Sequence, residues 1–428
     1  MVRRPITAFV LATPGLVALV ALVPDSAPAA PPAAIECDAD NAGLTLPEGF
    51  CALVFADIEG RGRHLTVRQN GDVFVALRGR SGGVAALRDS DGDGRADVLE
   101  RFGERGGTGI GIFEGALYTA PDDGVLRYPI AADALTPSGP PEEIVSGLPG
   151  PRTQHAAKNI TIDESGTMYV NIGGPSNACQ TEMRTAGSPG QDPCPQLESR
   201  AGIWTFDART PGQTPADGTR YATGLRNTFA LALGANGGLW GVQHGRDGAH
   251  DLWEDVYSVE QQAEVPAEEF VSIRKGDDFG WPYCMFDPLV GKKVLNPEYG
   301  GDGTQVGRCA TARGPALALP GHWAPMGLTF YHGTQFPERF RGGAFVAFHG
   351  SWNRGPLPQG GYNVVFVEFG PGGPTGKWEV FADGFAGDDV SPRGAEHRPA
   401  GVAVGPDGSL YVSDDTAGRI YRILYSGS

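Results

Sequence analysis

The sequence predicts an all-β fold, a six-bladed β-propeller, and three observations support that prediction. Gly accounts for 65 and Pro for 35 of the 428 residues, so about every fourth position interrupts regular structure. Hydrophobic residues make up 40% of the chain, which is enough for a large core, so many short strands joined by turns are expected. The third observation is a strand–turn–strand unit that recurs six times, whereas helical spacing is confined to one candidate helix over 252–270.

Each copy of this unit is a short apolar strand, a turn containing Gly, and a second strand with aromatic or β-branched residues. The turns contain NG, EG, SG, NGG or PDG, which supply the positive φ angles that hairpins require. The six copies, the fifth with an insertion, are His64–Leu77, Gly109–Ala120, Asn159–Gly173, Ala230–His244, Gly327–His349 and Gly401–Asp414. Their uneven spacing is typical of propeller blades, because solenoid repeats have a shorter and stricter period.

An open β-sandwich protein with two domains is the alternative fold. No linker-like change of composition divides residues 35–428, which favours one propeller domain there. Long irregular segments, near 175–200, 246–275 and 283–325, are expected to be loops on one face of the disc. Loops on a rigid scaffold are where functional sites usually lie.

The first 34 residues are expected to be a signal peptide for export. Arg3 and Arg4 give a positive start, residues 9–23 are mostly apolar, and small residues surround the expected cleavage point. The apolar stretch is short for a bilayer crossing and contains Pro14, and no other segment approaches that length. These features predict a periplasmic or secreted protein without a membrane span.

Cysteine spacing agrees with export, since exported proteins commonly form disulfides. We expect the three pairs that are close in sequence, although six cysteines allow fifteen connectivities: Cys37–Cys51, Cys179–Cys194 and Cys284–Cys309. The chain has no Cys-x-x-Cys spacing for zinc and no Cys-x-x-Cys-His site for covalent haem. Any redox chemistry would therefore pass its electrons to a separate acceptor.

The acidic composition, with a net charge of −16, argues against nucleic acid as a partner and suits a protein that holds divalent cations. The segment DSDGDGRADVLE at 89–100 matches the spacing of a calcium loop. Its oxygen ligands would be Asp89, Asp91, Asp93, the carbonyl of Arg95, Asp97 and Glu100. Strand-like flanks indicate a loop between two strands, so this Ca²⁺ would be structural. The alternative is a solvated acidic hairpin tip.

A second set of residues lies just before or after the blade repeats, where propeller loops converge above the central channel. It comprises His155, Arg226, Asn227, Gly245, Arg246, Arg354 and Arg398. Converging arginines bind polycarboxylates or phosphates through bidentate hydrogen bonds, and a neighbouring histidine can act as general base. Singly, each residue has an ordinary explanation, since lone histidines and surface arginines are common.

Four segments give the chain a resemblance to a known family over about residues 45–425: YATGLRN at 221–227, EFVSIRKGDDFGWP at 269–282, HGSWNRG at 349–355 and RPAGVAVGPDGSLYVSDD at 398–415. On these segments the chain resembles the soluble pyrroloquinoline-quinone (PQQ) dehydrogenases of the glucose/sorbosone dehydrogenase family. The resemblance implies PQQ- and Ca²⁺-dependent oxidation of an aldose or sorbosone-like sugar by hydride transfer to the quinone.

The resemblance also implies roles for individual residues. His155 would take the proton from the sugar hydroxyl, and Arg226 would stabilise the developing oxyanion of the quinone. Asn227, Arg354 and Arg398 would bind the carboxylates of the cofactor.

The implied calcium ligands are the backbone carbonyls of Gly245 and Arg246, and Glu269 would belong to a nearby second calcium site. The chain also departs from the family. The segment 106–109, GGTG, stands where glucose-oxidising members have a glutamine, and Ala400 replaces a second arginine. These departures leave the identity of the sugar open.

Two other functions fit a six-bladed propeller with calcium. A calcium-dependent lactonase would need Asp, Glu and Asn side chains around an axial metal, whereas this sequence offers arginines. A non-catalytic propeller that binds carbohydrate or protein would share the scaffold, and the fold alone does not choose among these functions.

Overall fold

Six antiparallel four-stranded sheets are arranged as the blades of a propeller, which confirms the predicted all-β, six-bladed fold. The computed structural model describes residues 1–2, 5, 35–79, 82–150 and 153–427. The expected signal peptide over 1–34 lies almost wholly outside these residues. Within the described ranges, every helix is too short or too polar to cross a membrane.

Every blade has four strands, counted from the channel outward. The chain enters with β1 (Phe50–Asp57) and then forms blade one from β2 (Arg61–Val67), β3 (Val73–Arg78), β4 (Gly83–Arg88) and β5 (Val98–Phe102). Blade two contains β6 (Gly107–Phe113), β7 (Ala116–Pro121), β8 (Val125–Pro129) and β9 (Glu142–Val145). Blade three contains β10 (Ile160–Ile162), β11 (Thr167–Ile172), β12 (Gly202–Asp207) and β13 (Thr219–Thr223).

The second half of the ring carries one extra hairpin. Blade four contains β14 (Ala230–Leu233), β15 (Leu239–Gln243), β16 (Glu268–Ile273) and β19 (Leu317–Leu319), with the hairpin β17 (Cys284–Asp287) and β18 (Lys292–Leu295) inserted before β19. Blade five contains β20 (Pro325–Phe330), β21 (Ala344–Phe348), β22 (Asn363–Gly370) and β23 (Gly373–Ala382). Blade six contains β24 (Pro399–Val404), β25 (Leu410–Asp414) and β26 (Arg419–Tyr425), and β1 completes it.

The six repeats predicted from the sequence are the two inner strands of each blade. Neighbouring innermost strands contact each other around the ring, from β2 through β6, β10, β14, β20 and β24 back to β2. Blade faces are buried because strands such as β3 and β21 are apolar on both sides, and neighbouring blades pack on them. The three expected disulfides are all present.

The ring closes through the N-terminal strand. β1 pairs antiparallel with β26, from Phe50 opposite Tyr425 to Asp57 opposite Arg419. The ring of Phe50 then packs edge-on against Phe336, Phe340 and Phe381, with centroids 4.8 to 5.3 Å apart. Covering β26 in this way leaves it no free edge for pairing with another chain.

The topology gathers the long loops on one face. Because neighbouring strands are antiparallel, the loops that leave second strands and those that enter innermost strands share a face, called here the loop face. The helix expected over 252–270 is wrong in extent. The segment forms α1 (Ala249–Leu252) and α2 (Val259–Glu264), the latter begun by a capping box at Ser258, and β16 starts at Glu268 because that segment pairs with β15.

Candidate functional site

All seven residues of the second sequence set lie in loops of the loop face. His155, Arg226, Asn227 and Arg398 precede innermost strands, while Gly245, Arg246 and Arg354 follow second strands. A cavity of about 310 Å³ opens there. His155, Arg226 and Gly245 contribute to its wall. The structure thus brings together residues from distant parts of the sequence, from Gln154 to Asn353.

His155 is oriented by the end of β11. Its backbone has a left-handed φ of 53°, and Nδ1–H donates to the Gly174 carbonyl oxygen at 2.5 Å. A Cβ on Gly173 would lie 2.5 Å from the Cβ of His155, so only glycine fits beneath the imidazole. Burial, together with the charge of Arg226, lowers the pKa of His155 well below its ordinary value of 6.5. The neutral ring therefore keeps Nε2 as a hydrogen-bond acceptor.

The guanidinium of Arg226 is buried and fixed by four hydrogen bonds. It donates to the Gly245 carbonyl at 2.7 Å, to the side-chain and backbone oxygens of Asn177 at 3.0 and 3.2 Å, and to Asp247 at 3.1 Å. Asp247 also accepts from Arg184 at 2.8 Å. Burial raises the pKa of Asp247, but Arg226 and Arg184 outweigh it and hold that pKa well below its usual range. This wall of the cavity is an organised cluster of two cations around one anion.

Asn227 lies beside this cluster but turns towards the blade. Its side chain is buried, and its Oδ1 accepts from Asn171 Nδ2 at 3.1 Å. Its carbonyl accepts from the backbone N–H of His244 at 3.0 Å. These contacts tie the entry of β14 to the exit of β15, and thereby hold Arg226 in place.

One of the two implied calcium ligands in the Gly245–Arg246 turn already has a hydrogen-bond partner. The carbonyl of Gly245 points at the guanidinium of Arg226, and the side chain of Arg246 forms a buried ion pair with Glu298 at 2.5 Å. A calcium ion at Gly245 would face a positive charge at the same oxygen. The Gly245 carbonyl is therefore already engaged, and ligation by the carbonyl of Arg246 stays an expectation.

The carboxylate of Glu269, implied as part of a second calcium site, is paired with an ammonium group. Lys293 Nζ lies 2.8 Å from Glu269 and donates to the Phe279 carbonyl at 2.7 Å. Neighbouring side chains on a strand point to opposite faces, so Glu268 is the glutamate that faces the cavity. Its carboxyl accepts from the backbone N–H groups of Gly245 and Ala324, at 2.9 and 3.2 Å, and burial raises its pKa to about 8.

Arg354 and Arg398 are not in the cavity wall, contrary to expectation. Arg354 donates to the carbonyls of Ala263 and Gly321, at 2.7 and 2.9 Å, and forms an ion pair with Glu264 at 2.6 Å. Arg398 donates to the carbonyls of His349 and Gly350, at 2.8 and 3.0 Å. Both arginines stabilise the loop that follows β21, because their guanidinium groups donate hydrogen bonds to backbone oxygens close to them.

The sequence interpretation missed several residues of the wall: His244, Asp247, Glu268, His322, Trp352 and Asn353. Asp247 had a sequence signal, because a buried arginine cluster requires a counter-charge and this acid directly follows the Gly245–Arg246 turn. Trp352 and Asn353 belong to the HGSWNRG segment but were not singled out.

The channel below the loop face is closed by an apolar group. Ala157, Phe229, Met326 and Ala400 pack together at the entries of four innermost strands. An arginine in place of Ala400, which is fully buried, would put a charge among these side chains. The departure at Ala400 therefore suits the packing of this chain.

The acidic loop lies between β4 and β5, on the face opposite the cavity. The carboxylates of Asp89, Asp91 and Asp93 come within 4.8 Å of one another. Asp97 instead accepts from the backbone of Ser90 at 2.7 Å. The guanidinium of Arg95 pairs with Asp38 at 2.7 Å, and Glu100 lies exposed on β5. Three of the expected ligands are therefore gathered in the loop.

Comparisons with known proteins agree with this architecture. An uncharacterised protein of Borreliella burgdorferi is 37% identical over 109 residues, which are 25% of this chain and 27% of that protein. The pyrroloquinoline quinone-dependent pyranose dehydrogenase of Coprinopsis cinerea is 28% identical over 272 residues, which are 53% of this chain and 35% of that protein. The chain thus spans about a quarter to a third of the length of these curated relatives.

A solved structure shows the same fold. The holo form of the PQQ domain of pyranose dehydrogenase from Coprinopsis cinerea superposes with a TM-score of 0.72 and 21% identity. That comparison covers 93% of this chain and 99% of that domain. The sequence itself matches the family model described as TrAA12-like over residues 44–426, and the chain therefore belongs to the TrAA12-like family.

Proposed function

We propose that this protein is a PQQ-dependent sugar dehydrogenase that oxidises an aldose or sorbosone-like sugar with His155 as general base. The observation that carries the proposal is the state of His155: a neutral imidazole in the cavity wall, with Nδ1–H bound to Gly174 and Nε2 available to accept a proton. The PQQ-dependent pyranose dehydrogenase of Coprinopsis cinerea, a relative of this chain, supports the substrate class.

The residues of the cavity fit a flat, acidic quinone. Arg226 and Arg184 supply positive charge for carboxylates and quinone oxygens. The Oε1 atom of Gln154 and the Oδ1 atom of Asn353 are buried and have no hydrogen-bond partner among the described residues, so this wall also has unused acceptors for donor groups such as sugar hydroxyls. When bound, PQQ would supply the acceptor for the hydride and its electron pair.

The protein's own part in the reaction is to hold one proton acceptor and one positive charge in fixed positions. Nε2 of His155 takes the proton from the oxygen of the sugar hydroxyl, and the hydride leaves the carbon that carries that oxygen, so the alcohol becomes a carbonyl. Arg226, aligned by Asp247, would stabilise negative charge on the quinone oxygen of a bound cofactor. The electrons then pass to a separate acceptor.

Calcium belongs to this proposal at the acidic loop only. Three carboxylates converge there, on the face away from the cavity, which suits a structural ion. The Gly245–Arg246 turn is left outside the proposal because the carbonyl of Gly245, one of its two implied ligands, accepts a hydrogen bond from Arg226.

The test is reconstitution with PQQ and Ca²⁺, an absorbance titration of cofactor binding, and dye reduction across a panel of aldoses, sorbosone and lactones. We expect His155→Ala to bind PQQ but to lose at least about a hundredfold in kcat, the usual contribution of a general base. His332→Ala is the matched control, since His332 is exposed and lies outside the cavity.

Three results would contradict the proposal. Wild-type protein that neither binds PQQ nor oxidises any sugar would exclude the dehydrogenase. Lactone hydrolysis without PQQ would identify a lactonase instead. Sugar binding that is equal in the wild type and His155→Ala, without turnover in either, would indicate a non-catalytic binding propeller.

A further inference from the structure

Trp352 stands at the rim of the cavity and is largely exposed. It is 59% exposed, and it lines the same cavity as His155 and Arg226. Single exposed apolar side chains are common on protein surfaces, but one that also lines a cavity offers an apolar surface to a ligand.

Trp352 differs in this respect from other tryptophans of the protein. Trp204, Trp240, Trp323 and Trp378 each pack against an aromatic ring or a guanidinium group. Among the described residues, no aromatic ring or guanidinium covers the indole of Trp352 in the same way. Trp281 also lacks such a neighbour but is only 5% exposed, so it is the exposure of Trp352 that leaves its indole open to a ligand.

The backbone on both sides of Trp352 is fixed, so its exposure is not that of a loose loop. Ser351 is fully buried: its N–H donates to Gly360 at 2.8 Å, and its carbonyl accepts from Tyr362 Oη at 2.6 Å. On the other side, Asn353 Nδ2 donates to Asp247 at 3.1 Å. Asp247 in turn holds Arg226, so Trp352 is tied to the cation cluster of the cavity.

Sugars in ring form present two different surfaces. Their hydroxyls point outward and suit polar partners, whereas the C–H groups of one face form an apolar patch that stacks on aromatic rings. The rest of this wall is built from charged and polar groups, including Arg184, Asp247 and Asn353. The indole of Trp352 supplies the apolar surface that such a ligand requires.

We infer that Trp352 is a stacking platform for the ring of a cyclic sugar and makes the site favour ring sugars over acyclic substrates. The inference rests on the proposed sugar oxidation and deepens it. The platform binds the C–H face of the ring and leaves the hydroxyl edge for His155. Trp352 is thus a specificity-determining residue, separate from the groups that move the proton or stabilise charge.

The experiment compares Trp352→Ala and Trp352→Phe with the wild type, using the best ring sugar found and glyceraldehyde as an acyclic substrate. For the ring sugar we expect Trp352→Ala to raise KM about tenfold with little change in kcat, because ground-state stacking is lost. The KM of Trp352→Phe for the ring sugar should stay within about threefold of the wild-type value, because phenylalanine keeps an aromatic face. The KM for glyceraldehyde should not change.

A binding measurement separates this inference from the proposed activity. Calorimetric titration of the PQQ-free protein with the ring sugar should show weaker binding in Trp352→Ala and unchanged binding in Leu289→Ala, a control with the same 59% exposure on a different hairpin. Loss of sugar binding in Trp352→Ala would support the platform even if wild-type protein oxidised no sugar. Turnover with the same KM in wild type and Trp352→Ala would overturn the platform and leave the dehydrogenase standing.

Discussion

Glu268 and Glu269 are neighbours in sequence, but their side chains point in opposite directions and therefore have different surroundings. Glu268 reaches the cavity and accepts from two backbone N–H groups, while Glu269 is paired with Lys293 on the other side of β16. Strand alternation explains the difference once the strand is known. Sequence alone offered no means of choosing between them, because both residues lie in the segment 252–270, which was expected to be helical.

The arginines show the same limit. His155 and Arg226 reach the cavity as expected, whereas Arg354 and Arg398 bind carbonyls of neighbouring loops. A sequence can show that an arginine lies in a loop, but the long side chain of that arginine has many hydrogen-bond acceptors within reach. Which acceptor it binds depends on the tertiary structure around it.

The pH response of His155 follows from its neighbours. Burial and the positive charge of Arg226 lower its pKa, so the imidazole stays neutral as the pH falls past 6.5 and becomes protonated only at lower pH. We expect kcat/KM to be insensitive to pH around 6.5 and to fall on the acid side of that value. Nuclear magnetic resonance titration of the imidazole in PQQ-free protein checks the same pKa without turnover.

The variant Arg226→Gln tests whether the charge of Arg226 lowers the pKa of His155. Removing the charge should raise the pKa of His155 towards 6.5 and move the acid limb to higher pH, whatever the effect on the maximal rate. An imidazole that titrates at 6.5 in the wild type, or that does not respond to Arg226→Gln, would contradict this account.

At the scale of elements, the blades were predictable because each carries its own signal. Apolar strands on either side of a Gly-containing turn form hairpins locally, so all six inner pairs agree with the sequence. The segment 252–270 was not predictable in this way. Its polar residues favour two short helices, and its end joins β16 only because β15 offers an edge for pairing.

The outermost strand β1 is expected to contribute more to stability than the exposed outermost strand β5, because β1 carries a side chain of the hydrophobic core. Phe50 packs against three other phenylalanines, so we expect Phe50→Ala to lower the free energy of unfolding by about 3–5 kcal/mol. Leu99→Ala, on the exposed outermost strand of blade one, should change it by no more than about 0.5 kcal/mol. Urea unfolding measures the free energy of unfolding of both variants. Equal decreases in Phe50→Ala and Leu99→Ala would contradict a special role for β1.

For the whole molecule, closure of the ring is the property that no single blade contains. Blade six contains three strands from the C-terminal end of the propeller and one from its N-terminal end, so the pairing of β1 with β26 joins the two ends. Deleting residues 36–57 should uncover β26 and the aromatic group around Phe50, with loss of cooperative unfolding and with self-association.

A circular permutant tests whether position in the chain or strand pairing matters. Residues 36–57 joined after Ser426 through a Gly/Ser linker of about fifteen residues should restore a cooperative, monomeric protein, since Ser426 already donates to Gly49 at 2.9 Å. Urea unfolding and size-exclusion chromatography follow both proteins. A deletion protein as stable as the wild type would contradict ring closure through β1.

The sequence by itself determined the number of blades and the positions of the acidic loop and of the long loops, and it favoured the local disulfide pairs, because those features depend on spacing and on local turn chemistry. Only the tertiary structure decided that His155 and Arg226 share a cavity with Asp247 and Glu268, that Lys293 neutralises Glu269, and that Trp352 stands exposed at the rim. These facts depend on distances between side chains of different blades. Packing of the closed ring fixes those distances, and no segment read alone contains them.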